Sequence, residues 1–95
     1  MRLRWTRLAE RDLDDIAAYI GQDSSAAAAR VVLELIDRTE ELLTRHVALG
    51  RPGRVLGTRE LVIGGLPYVI PYRVRDKDIE ILRVLHTARR WPSEL

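Results

Sequence analysis

The fold is decided by the stretch TRELVIGGLPYVIPYRVRDKDIEILRVLH, Thr58 to His86. It divides into three strand-like runs, TRELVI, YVIPYRV and IEILRVLH, separated by the turn segments GGLP and RDKD. β-branched and aromatic residues dominate the runs, and the linking segments are short and rich in Gly, Pro and Asp. This pattern predicts an antiparallel meander. Pro71 lies inside the middle run and cannot donate a ladder hydrogen bond, so a bulge or a non-pairing side is required there.

Upstream, GRPG (Gly50 to Gly53) marks the change from helical to strand periodicity. Before it, apolar residues recur at helical spacing in two segments. The first, capped by Thr6, carries Ala9, Leu13, Ile16, Ala17 and Ile20 and is expected to stop at Gly21 as a left-handed C′ residue. Asp12, Asp14 and Asp15 are read as early helical acids favoured by the dipole. The second segment runs from about Ala26 to Arg45 behind a cap at Asp23, Ser24 or Ser25. One stripe holds Ala29, Val32, Leu33, Ile36 and Leu43; Ala28, Val31, Leu35 and Leu42 flank it. So wide an apolar surface predicts contact with the first helix and with a sheet. MRLRW at the start reads as a short strand. The expected architecture is one α+β domain over residues 1–95: β-α-α-β-β-β, a helical hairpin on a three-stranded antiparallel meander, with a short C-terminal tail.

A chain of 95 residues buries only about 60–65% of its unfolded surface, which leaves no room for a second core. It has no Cys, which removes disulfides and thiolate metal sites and suits a reducing compartment. No apolar run approaches the roughly 20 residues of a membrane span, and the charged N-terminus does not resemble a signal peptide. A cytoplasmic protein without membrane contact is expected. Residues 1–50 hold seven Arg against nine Asp and Glu, whereas residues 51–95 hold nine Arg and Lys against five acids. The basic character belongs to the second half, and Lys77 is the sole lysine.

The last run alternates Glu80, Leu82, Val84 and His86 with Ile79, Ile81, Arg83 and Leu85, so both of its faces carry apolar residues. One face is expected to meet the core and the other a partner. Val31, Leu35 and Leu42 on the second helix, with Ile79, Ile81 and Leu85, are the candidate partner contacts. Arg59, Arg73 and Arg83 are expected to share one side of the sheet. With His86, Arg89, Arg90 and Trp91 of the tail they form the candidate target surface.

The succession AERDLDDIAAYI, GRPGRVLGTRELVI, YVIPYRV and IEILRVLHTARRWP resembles, over essentially the whole chain from about residue 3 to 92, the ParE group of the RelE/ParE superfamily, toxins of type II toxin–antitoxin modules. The resemblance implies the fold already read and a cognate antitoxin of ParD-like, ribbon-helix-helix type that wraps the toxin in a hetero-oligomer. It further implies operator DNA contact only through that antitoxin, and DNA gyrase as the target. The RelE branch of the same fold instead cuts mRNA on the ribosome, and a non-toxic binding module is a third reading.

Cleavage through a 2′-hydroxyl needs a base, an acid and positive charge at the phosphate. Arginine supplies charge but is a poor base. The RelE-type lysines and C-terminal tyrosine are missing: Lys77 lies in RDKD, and no tyrosine follows Tyr72. His86 is the one candidate base. His46 is read as a cation at a helix C-terminus. Nucleotide-binding, nucleophile-elbow and metal-ligand spacings are missing as well, so neither cofactor nor metal is expected.

Overall fold

The computed structural model describes residues 1–95. Its elements are β1 (Arg2–Trp5), α1 (Arg7–Gly21), α2 (Ser25–Arg45), β2 (Arg51–Pro52), β3 (Arg59–Val62), β4 (Tyr68–Arg75), β5 (Asp78–Ile81) and β6 (Leu85–His86). The sheet order is β1-β5-β4-β3-β2, with β6 also on β4. The meander is present, and β1 closes its far side by pairing parallel to β5, Leu3 opposite Ile79.

Thr6 Oγ1 caps α1 by accepting from Ala9 N, and Ser24 Oγ caps α2 by accepting from Ala27 N. Two details of α1 differ from expectation. Gly21 is the last helical residue and lacks a positive φ; the chain turns through Gln22, whose backbone stays right-handed. The only acid in the first turn is Glu10, so the helix dipole does not account for Asp12, which has another task described below.

On α2 the fully buried positions are Leu35, Thr39 and Leu43, with Ala28 nearly so. Leu35 and Leu43 pack with Ala9 and Leu13 of α1 against Leu61, Ile63, Tyr68, Ile70, Tyr72, Ile79 and Ile81. Val31, Val32, Ile36 and Leu42 flank this cluster, whereas Leu33 and Ala29 face outward. Burial of each large aliphatic side chain contributes about 1.5–3 kcal/mol, so this single layer between hairpin and sheet is the main stabilising element.

Tyr72 fixes the crossing from α2 into the sheet. Its hydroxyl donates to Val47 O (2.7 Å) and accepts from Gly50 N (2.8 Å). Gly50 is required there, because a Cβ would fall 2.6 Å from the tyrosine ring.

The last run is not one continuous strand. Tyr72 pairs with Ile81, and Val69 pairs with Leu85. Two β4 residues thus face three on the other side, which is a bulge. Leu82 N and Arg83 N both donate to Pro71 O. The carbonyl of Pro71 and its missing N–H point to the same side of the strand, so proline's lack of a donor falls where the ladder is already interrupted.

Candidate functional site

The bulge is held by a helix. Asp12, in the second turn of α1, accepts from Arg83 Nε (2.7 Å), Arg83 Nη2 (2.9 Å) and Val84 N (2.9 Å). Both side chains are largely buried, 18% exposed for Arg83 and 13% for Asp12. The bond to Asp12 pushes the Arg83 pKa further up, against the opposing effect of burial. Arg83 therefore cannot serve as a proton acceptor, and its guanidinium is committed to the fold.

Beyond this pair a groove of about 680 Å³ runs between α1 and the C-terminal segment. Ile16, Tyr19, Tyr68, Val84, Arg89 and Trp91 are among the residues that line it. Arg89 lies over the Tyr19 ring at 5.3 Å, and Arg54 stacks on Trp91 at 3.6 Å. These cation–π contacts fasten the tail at two places. Burial raises the Tyr68 pKa, with a smaller opposing effect from Arg89, which keeps the phenol neutral. His86 meets Tyr68 edge to face at 5.4 Å, and its Nδ1 accepts from Ala88 N at 3.1 Å. The Ala88 N–H thus occupies the Nδ1 lone pair and orients the ring.

The opposite face of the sheet is covered by arginine and glutamate. Arg4 and Arg73 both bond the carboxylate of Glu80, the latter at 2.8 Å. The hydrogen bond from Arg73 holds the Glu80 carboxyl below the usual range, opposed by burial and reinforced by the charges of Arg73, Arg4 and Arg75. Glu60 accepts from Arg51 Nε (3.2 Å) and from the backbone N–H of Arg54 (2.9 Å). Both glutamates are buried; long arginine stems lie over them with their heads in water.

These positions revise the expected surfaces. Arg59, Arg73 and Arg83 do not form one cluster. Arg59 is paired in register with Tyr72 on the helix side, and its Nη1 donates to Gly50 O at 2.8 Å; Arg83 is tied to α1; only Arg73 lies on the opposite face. Leu35, Ile79 and Ile81 have no exposed surface, and Leu85 is buried, so these four cannot offer an apolar face to a partner in this conformation. Val31 and Leu42 keep partial exposure at the rim of the core. His86, Arg89, Arg90 and Trp91 are brought together around the groove. Sequence periodicity assigned the Arg83 alternation wrongly because the bulge shifts phase there.

No three His, Asp or Glu side chains converge to hold a metal ion. Lys77 sits in the β4–β5 turn with φ 66°, and the Tyr72 hydroxyl is fully engaged in the interior. The groove thus brings Arg89, Arg90, Tyr19, Tyr68 and Trp91 together with the carboxylates of Asp12 and Asp15.

The family model described as "ParE toxin of type II toxin-antitoxin system, parDE" matches residues 3–91. The chain belongs to the ParE toxin family. Among curated relatives of this ParE-family toxin, Y4kP of Sinorhizobium fredii, which carries a toxin name, is 50% identical over 94 residues, covering 99% of this chain and 96% of the relative. Toxin RelE2 of Caulobacter vibrioides is 41% identical over 85 residues, covering 90% and 93%. Among solved structures, the chromosomal ParDE system from P. aeruginosa superposes with a TM-score of 0.81 at 34% identity, covering 90% of this chain and 95% of that one. The α+β topology of this ParE toxin and its short C-terminal tail agree with that structure. No helix is long and apolar enough to cross a membrane.

Proposed function

We propose that this ParE-family toxin acts in the cytoplasm by binding DNA gyrase rather than by cleaving RNA, and that a cognate ParD-like antitoxin neutralises it. One observation carries the reading. The residues that would have to perform acid–base chemistry are otherwise engaged: His86 Nδ1 accepts from the backbone N–H of Ala88, Arg83 is bonded to Asp12, and Lys77 lies in the β4–β5 turn. Proton transfer by a positioned group is worth about 10²–10⁴-fold in rate, and nothing here is poised to supply it. The exposed apolar residues Leu8, Tyr19 and Leu33 of the helical hairpin suit coverage by an antitoxin, and operator DNA is then met through that partner. The resulting assembly is a hetero-oligomer of toxin and antitoxin.

Ribosome-dependent mRNA cleavage is the second reading, favoured by the relative named RelE2 at 41% identity. Induction of the toxin without its antitoxin separates the two. The expected result is trapped gyrase–DNA cleavage complexes and lost supercoiling with mRNA intact. Fragmented ribosome-bound mRNA with normal supercoiling would replace gyrase with the ribosome as target. A short ribbon-helix-helix gene beside the toxin gene, whose product restores growth, is expected in either case.

A further inference from the structure

Residues 53–58 connect β2 to β3, and nearly every one has a structural task. Gly53 N donates to Thr58 O at 2.8 Å, and Gly53 must be glycine because a Cβ would sit 2.2 Å from Thr58 Oγ1. Thr58 donates twice to Val55 O, from N at 3.1 Å and from Oγ1 at 2.6 Å. Gly57, with φ +84° at the third position of that turn, supplies the conformation a type II turn demands. Arg54 N is bonded to Glu60, and its guanidinium lies on Trp91.

Leu56 alone has no task. It is 100% exposed, and its neighbour Val55 is 40% exposed. A leucine at the tip of an internally bonded loop contributes nothing to this chain's own core. The surround is basic: Arg51 and Arg54 are both more than half exposed, while the single carboxylate they share, Glu60, is buried beneath them. The stack of Arg54 on Trp91 makes this surface continuous with the tail that bears Arg89 and Arg90.

We infer that loop 53–58 is a preformed docking peg, in which Leu56, with Val55 beside it, enters an apolar pocket rimmed by carboxylates on the toxin's protein target. The inference rests on the toxin reading in assigning the pocket to the target and not to the antitoxin. Rigidity favours a protein pocket, since a loop already ordered loses little entropy on binding. Two aliphatic side chains are too few for a membrane anchor, because even a whole myristoyl chain binds only marginally. Nucleic acid would engage the arginines and leave the leucine unused.

The test compares wild type with Leu56→Asp and Leu56→Met, each purified with its antitoxin and also induced without it. Leu56→Asp is expected to weaken capture of purified DNA gyrase by roughly 30-fold and to abolish growth arrest, with melting temperature and antitoxin affinity unchanged. Leu56→Met should retain both activities. Full growth arrest by Leu56→Asp would overturn the peg. So would loss of antitoxin binding, which would make the antitoxin the occupant, or Leu56-dependent binding to phosphatidylserine vesicles, which would make it a membrane. If wild type does not bind gyrase, the gyrase reading fails; loss of growth arrest in Leu56→Asp would then still support the peg on another protein target.

Discussion

Glu80 shows how a single residue ties this fold to pH. Its carboxylate is buried on the sheet face opposite the helices, between Arg4 and Arg73, and its pKa is depressed by the hydrogen bond from Arg73. A group whose folded pKa lies below its unfolded value of about 4.3 stabilises the fold above that value. The contribution is lost as pH falls through the folded pKa. Glu80→Gln is therefore expected to cost about 1 kcal/mol at pH 7, kept small because both arginines retain solvent contact. The difference from wild type should narrow as pH drops below about 4.3. Urea unfolding at pH 7 and pH 3 checks both halves; a constant difference would remove Glu80 as the source. Little of this was legible in the sequence. Glu80 alternates with apolar residues in IEILRVLH, and only the register of Arg73 opposite it, with Arg4 opposite it on the parallel side, shows that ion pairs lie across the second face.

At the scale of elements, periodicity located both helices and the meander, because each depends on local spacing. It failed where a neighbour decides the outcome. IEILRVLH reads as one strand, yet it breaks after Ile81 because Pro71 lies on the adjacent strand and Asp12 on a helix. The β4–β5 connection illustrates a cost that local sequence does reveal. Asp76 and Lys77 both take positive φ, 52° and 66°, as a two-residue type I′ turn requires. A non-glycine residue in that region costs roughly 1–2 kcal/mol. Lys77→Gly relieves it, offset by the greater freedom of the unfolded chain. A net gain of about 0.5–1 kcal/mol is expected, or a Tm rise of roughly 3–6 °C by differential scanning calorimetry. The loop RVLGT carried a readable signal too: adjacent apolar residues in a glycine-bounded turn, which strand and helix periods do not explain.

For the whole molecule, the Asp12–Arg83 pair joins α1 to the end of the sheet across 71 positions. Removing one partner of a buried, hydrogen-bonded pair strands the other, at a cost of about 3–5 kcal/mol. Asp12→Ala and Arg83→Ala are each expected to lose about that much stability and to be strongly coupled in a double-mutant cycle. Arg89→Ala and Arg90→Ala, at exposed tail positions, should stay within about 0.5 kcal/mol. Loss of toxicity in an Arg83 variant would therefore report unfolding, and the tail arginines are the proper probes of target contact. The parallel pairing of β1 with β5 has a separate consequence for how the chain folds. Leu3 must find Ile79 across 76 positions, whereas Arg75 and Asp78 close across three. Loop-closure entropy alone disfavours the longer contact by about 3 kcal/mol. The helical hairpin and the meander can form from near neighbours, but β1 has no place to dock until β5 is laid down. Damage to Leu3 should then quicken unfolding more than it delays folding: the first strand in the sequence is the last to settle.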